Sequence, residues 1–154
     1  MSRIEKPSVL LVDDNEPTRT LMTALLQREF EIHLANDGYD AIEKLKTGSF
    51  AALLLDLRMP QLDGFGVLEF LSENAAPMLR RTIVVTAALS TREIDRAKSF
   101  GIRDIVRKPF DVDELLAVVR HCTSSDGSGP FSSVLCSSGP MLLLLADLLR
   151  QRLM

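Results

Sequence analysis

The chain has 154 residues, of which 46% are hydrophobic and 25% charged, with a formal charge of −3. That length suffices for one domain with a real core, and the composition is that expected of a soluble globular protein. The charge excludes a general attraction to nucleic acid or anionic membrane, and no apolar run approaches the ~20 residues needed to span a bilayer.

The chain begins "MSRIEKPSVLLVDD", where acids interrupt the apolar run at once, so no secretory signal is read there. Val9–Val12 is a first candidate strand, ending at Asp13-Asp14. Glu16–Arg28 follows Asn15, a candidate N-cap, and carries Leu21, Ala24 and Leu25 at helical spacing. Phe30–Ala35 is a second strand. Tyr39–Lys46 is a short helix ending near Gly48. Ala51–Leu57 is a third strand, and within it Leu53-Leu54-Leu55 runs straight into Asp56. Gly64–Asn74 supplies Val67, Leu68 and Leu71 to a helix. Thr82–Ala87 is a fourth strand containing Thr86. Thr91–Phe100 opens after Ser90, with Glu93 placed to complete a capping box, and closes at Gly101. Asp104–Arg107 is a fifth strand, followed by Lys108-Pro109. Val112–Cys122 carries Val112, Leu115, Leu116 and Val119 after Asp111.

The first, third and fourth runs are almost continuously apolar, as in strands buried on both faces of a parallel sheet. Strand and helix alternate throughout, which predicts an α/β fold, an open parallel sheet with helices on both faces and right-handed crossovers. Sites in such sheets lie beyond the carboxyl ends of the strands. There the pattern delivers Asp13, Asp14, Asp56, Thr86 and Lys108 to one edge. An unpaired carboxylate after Leu55 would be costly in a core; at a strand end it emerges among groups that can pair with it.

After His121 the composition changes. "TSSDGSGPFSSVLCSSGP" reads as a Ser/Gly/Pro-rich linker, and "MLLLLADLLRQRLM" as a leucine-rich amphipathic helix. The expected division is a main domain at 1–122, a linker at 123–140 and a helical tail at 141–154. The tail carries no basic recognition helix, so direct nucleic-acid binding is not expected. It is suited to docking on the main domain, pairing with a second copy to form a homodimer, or beginning a further domain. Cys122 and Cys136 show no metal spacing and read as free thiols of a reducing cytoplasm. His33 and His121 have no visible third ligand and read as ordinary residues.

Clustered carboxylates raise one another's pKa unless a cation joins them. A hard divalent ion with oxygen ligands, Mg²⁺ above all, fits that need and shares phosphate oxygens. Lys108 offers a point charge and Thr86 a hydrogen bond to the same phosphate. A carboxylate can carry an aspartyl phosphate. Taken singly, Asp13-Asp14 is equally a turn, Thr86 an ordinary strand residue and Lys108-Pro109 a turn; the weight lies in their joint placement.

Over about residues 7–122 the sequence resembles the receiver domain of two-component response regulators, of the CheY-like superfamily. The resemblance rests on "LLVDDNE" (10–16), "NDGYDAIEKL" (36–45), "LLLDLRMPQLDGFGVL" (53–68), "IVVTAALS" (83–90) and "DIVRKPFDVDEL" (104–115). It implies a (βα)5 doubly wound, flavodoxin-like fold with strand order 2-1-3-4-5. Asp56 would be the phosphoacceptor, taking its phosphoryl group from a histidine kinase or histidine phosphotransfer protein. Asp14 would ligate Mg²⁺ directly, Asp13 through water, and Arg58 through its backbone carbonyl. Thr86 would be the switch hydroxyl and Lys108 the phosphate-pairing lysine, with a cis Lys108–Pro109 bond. Such a protein is a cytoplasmic signalling switch, not an enzyme with a separate substrate, although it assists its own phosphoryl transfer and dephosphorylation. Arg58 and Ala88 stand at positions that flank the phosphoryl group in this family.

One position departs from the pattern: Ile105 stands where the family usually has Tyr or Phe. The expected consequence is a readout surface of Ile94, Ala97, Ile105 and Val119 acting by apolar packing. A pseudo-receiver that signals without phosphorylation is the alternative that Ile105 keeps open. A haloacid-dehalogenase-type phosphatase would want an acid at position 58, and an FMN binder a Gly/Ser/Thr-rich loop after the first strand; neither is present.

Overall fold

The structure, a computed structural model, describes residues 5–87 and 89–124. Position 88, the segment from residue 125 and Cys136 lie outside the described residues, as do most of the expected linker and all of the expected tail.

Strands β1 (Ser8–Val12), β2 (Glu31–Ala35), β3 (Ala52–Leu55), β4 (Thr82–Thr86) and β5 (Asp104–Arg107) form one sheet in the order β2-β1-β3-β4-β5. All pairs are parallel, with Val12 opposite Leu55 and Leu55 opposite Val84. Helices α1 (Glu16–Leu26), α2 (Gly38–Thr47), α3 (Gly64–Asn74), α4 (Thr91–Ser99) and α5 (Val112–Ser124) connect or follow the strands.

The strict side-chain alternation of a strand divides the core in two. Leu10, Val12, Leu53, Leu55 and Val84 point to one face, where α2, α3 and α4 cover them with Ala41, Val67, Leu68, Leu71 and Ala97. Val9, Leu11, Leu54, Ile83, Val85 and Val106 point to the other, against Met22 and Leu26 of α1 and Leu115 and Val119 of α5. The central strands β1, β3 and β4 are apolar on both faces for this reason. The edge strands β2 and β5 are less covered, each with one buried residue, Ala35 and Val106.

Local chemistry sets the helix starts. Asn15, Asp37, Asp63 and Ser90 each accept an N–H from the first turn, and Ser90 and Glu93 form the expected capping box. Gly64 is a steric requirement. A Cβ there would stand 2.5 Å from the Asp56 carbonyl oxygen and 2.7 Å from Leu57 Cα.

Three expectations need correction. In α1 the inward residues are Met22 and Leu26, while Leu21 is 52% exposed and Ala24 is exposed. Apolar residues surround "LMTALL", so periodicity identifies the helix but not its phase. Likewise Val112 is exposed while Leu115 and Val119 are buried. Finally, Ala97 and Val119 are fully buried, in the cores on opposite faces of the sheet; Ile105 packs against the cluster that holds Ala97, but neither Ala97 nor Val119 contributes to an exposed surface with Ile94 and Ile105. A short 3-10 helix, Ala76–Arg81, with Pro77 in its first turn, also precedes β4.

Candidate functional site

The hydrogen-bond ladder continues one residue beyond the strands and carries the site with it. The Asp56 N–H donates to the Val12 carbonyl at 3.0 Å, the Asp13 N–H to Ala35 at 3.3 Å, and the Lys108 N–H to Thr86 at 2.8 Å. Asp13, Asp14, Asp56, Thr86 and Lys108 are thereby brought to one edge, as their spacing predicts. The Lys108–Pro109 peptide is cis.

The side chains form a connected cluster. The Lys108 ammonium donates to Asp13 Oδ2 at 2.7 Å and to Asp56 Oδ2 at 3.3 Å. Asp56 Oδ1 accepts from the Thr86 hydroxyl at 3.0 Å and from the Arg58 N–H at 3.1 Å. Asp13 Oδ1 accepts from the Asn15 N–H at 2.8 Å. Asp13, Asp56 and Thr86 are buried, and Asp14 is exposed.

Electrostatics leave the edge short of positive charge. Burial pushes the Asp56 carboxyl above its ordinary range. The Arg58 N–H, the Lys108 charge and the Thr86 hydrogen bond oppose that shift, while the charge of Asp13 adds to it. Burial also opposes the Lys108 ammonium, but its hydrogen bond to Asp13 and the charges of Asp56 and Asp13 outweigh it, and its pKa rises. Three carboxylates against one ammonium leave a formal charge of −2.

A divalent cation fits this donor set. Carboxylate oxygens of Asp13, Asp14 and Asp56 lie within 4.8 Å of one another, and all are hard ligands. Among the described residues, neither histidine joins the group; His33 lies 3.4 Å from Glu31 and edge-on to Phe50.

Two contributors escape a reading of the residues alone. Arg19 Nη1 donates to the Asp13 carbonyl at 2.6 Å, which steadies the backbone beneath the acidic pair. The Arg58 side chain turns from Asp56 toward Glu93 at the start of α4. Neither follows from local spacing, because both depend on how a helix seats against the sheet edge.

A doubly wound parallel sheet with acids, a hydroxyl and an ammonium at the carboxyl ends of its strands defines a CheY-like α/β protein. The profile of the response regulator receiver domain matches residues 9–120, and the chain belongs to that family. The transcriptional regulatory protein SrrA of Staphylococcus aureus is 34% identical over 115 residues, covering 73% of this chain and 46% of SrrA. The chain thus spans about half the length of the curated relatives it matches. Among solved structures, it is similar to the receiver domain of an HD domain-containing protein from Pseudomonas fluorescens. That match has a TM-score of 0.74 at 25% identity and covers 81% of this chain and 100% of the other. It is also similar to the receiver domain of a sensor histidine kinase from Pseudomonas aeruginosa, described with a magnesium ion in its active-site cleft. There the TM-score is 0.70 at 26% identity, covering 77% of this chain and 98% of the other. Receiver domains are signalling switches that interact with histidine kinases or phosphotransfer proteins. Among the described residues, no helix is long and apolar enough to cross a membrane.

Proposed function

We propose that this chain is a cytoplasmic phosphorylation switch in which Asp56 accepts a phosphoryl group from a histidine kinase or a histidine phosphotransfer protein. The observation that carries this reading is the buried Asp56 carboxylate, held between Thr86 and Lys108 beside two further acids. Lys108 is closer to Asp13 than to Asp56, so Asp56 Oδ2 is the less restrained oxygen and serves as nucleophile. It bonds to phosphorus as the bond from phosphorus to the donor's leaving atom breaks. The leaving atom is the imidazole nitrogen of a phosphohistidine or the acyl oxygen of acetyl phosphate.

Asp13, Asp14, Asp56 and the Arg58 carbonyl would hold Mg²⁺, which when bound supplies positive charge to the phosphoryl oxygens. A magnesium ion in the cleft of the related kinase receiver supports that assignment. Lys108 neutralises the transferred group and Thr86 donates a hydrogen bond to it. An added dianion therefore favours whichever arrangement brings these donors inward.

The test is intact mass after incubation with acetyl phosphate and Mg²⁺, beside Asp56→Asn. One added phosphoryl group, absent from the variant and from Mg²⁺-free samples, supports the proposal. An unchanged mass, together with no spectral response to beryllofluoride and Mg²⁺, refutes it.

A further inference from the structure

Helix α4 is lightly anchored. Ala97 is its buried residue, and most of its other side chains face solvent. Ion pairs supply much of what remains. At its start, Arg58 Nη2 donates to both oxygens of Glu93, at 2.9 and 3.1 Å. Further along, Arg96 reaches Glu69 of α3 at 3.0 Å and lies 4.1 Å over the Phe65 ring.

The Arg58–Glu93 pair joins two functional parts of the molecule. The Arg58 N–H is bonded to Asp56, while its guanidinium holds the first turn of α4. Glu93 also serves the helix cap. Its Oε2 accepts from the Ser90 N–H at 3.0 Å and from the Ser90 hydroxyl at 2.9 Å, completing the capping box. Glu93 can therefore lose Arg58 and still cap the helix.

From this we infer that Arg58 and Glu93 form a latch, opened when Arg58 exchanges the Glu93 carboxylate for a phosphoryl group on Asp56. The inference rests on the proposed phosphorylation of Asp56. Phosphorylation replaces one carboxylate charge by a group of about −2 with strong acceptor oxygens. Arginine pairs readily with such oxygens. The existing pair is weak enough to yield, since the Arg58 side chain is 56% exposed and that of Glu93 32% exposed. Lys108, already shared with Asp13, cannot alone balance the added charge. Once Arg58 has turned, α4 keeps its cap but loses its tie to the β3–α3 loop. The loosened element is the whole helix start, and no aromatic residue at position 105 is needed to report the event.

The test is amide hydrogen exchange over residues 91–99 in the full chain, with Glu93→Gln, Arg58→Met and the double variant. Glutamine still completes a capping box, so Glu93→Gln removes the charge and keeps the cap. Without phosphodonor, each single variant is expected to exchange about 2- to 5-fold faster there, and the double variant no faster than either. Acetyl phosphate and Mg²⁺ are expected to accelerate exchange in the parent protein by a similar factor, with little further gain in Arg58→Met of equal phosphoryl content by mass. Unchanged protection in Glu93→Gln, or an equal phosphorylation response in the parent and Arg58→Met, overturns the latch while leaving phosphorylation intact. A parent protein that gains no mass and shows no spectral response to beryllofluoride and Mg²⁺ overturns the reading of Asp56, and the opening step with it.

Discussion

Replacing Lys108 with methionine removes an ammonium while keeping most of an apolar stem. That ammonium stands 2.7 Å from Asp13 and 3.3 Å from Asp56, and both carboxylates are almost fully buried. At an effective dielectric of about 20, each contact is an attraction of ~5–6 kcal/mol, most of which offsets the desolvation of the charges. Removing one partner leaves the others orphaned, at a typical cost of about 3–5 kcal/mol. Asp56 can take up a proton instead of remaining charged, so the expected loss is nearer ~3 kcal/mol at pH 7 without divalent ions. Urea unfolding followed by circular dichroism, in EDTA, measures it. The sign of the pH dependence follows from the same charges. With the ammonium gone, burial and the neighbouring charge of Asp13 hold the folded-state pKa of Asp56 above its unfolded value of about 4. Such a group is least destabilising below the unfolded pKa, and its burden grows as pH rises through the folded pKa. The deficit of Lys108→Met is therefore largest near neutrality and shrinks on acidification. Saturating Mg²⁺ should recover part of it by restoring positive charge. A variant within about 0.5 kcal/mol of the parent at pH 7 in EDTA would refute the reasoning.

Two substitutions and one thiol extend the tests. Gly64→Ala forces a methyl group against the Asp56 carbonyl and Leu57 Cα, and should cost about 2–3 kcal/mol in chemical denaturation and slow acetyl-phosphate labelling. Gly101→Ala, at φ 85° with open space around it, should cost only about 1 kcal/mol and leave labelling unchanged. The Cys122 thiol lies in the core beside the Arg81 carbonyl, and burial pushes its pKa up. Peptide mapping after brief iodoacetamide treatment at pH 8 should therefore show Cys122 alkylated at least ~10-fold more slowly in the native protein than in urea; equal rates would count against its burial.

The strand pattern was legible because a sheet covered on both faces demands unbroken apolar runs, as in Leu53-Leu54-Leu55. The site edge was legible for the converse reason: Asp56 ends such a run and has to emerge. Bounds were close where capping chemistry is local, as at Ser90 and Asp63. What could not be read was helix phase where apolar residues surround the axis, as at Leu21 and Met22. The expected surface containing Ala97 and Val119 failed because adjacency along the elements does not reveal which face of the sheet each helix covers. The Arg58–Glu93 contact spans thirty-five positions, and only the packing of α4 against the β3–α3 loop brings its partners together.

The ladder that extends past the strand ends has a consequence for what lengths this chain can tolerate. Asp13 and Asp56 are counted off from the same backbone grid that orders the core. Adding one residue within β3 would advance the acid by about 3.3 Å and exchange the two faces of every side chain beyond it. Function and packing would thus be lost in one step, by a single slip. The opposite ends of the strands carry none of the site residues, and the turn from Leu26 to Glu31 lies there. The molecule therefore has a ruled edge, where position is read in whole residues, and a permissive edge, where chain can be gained or lost without moving the chemistry.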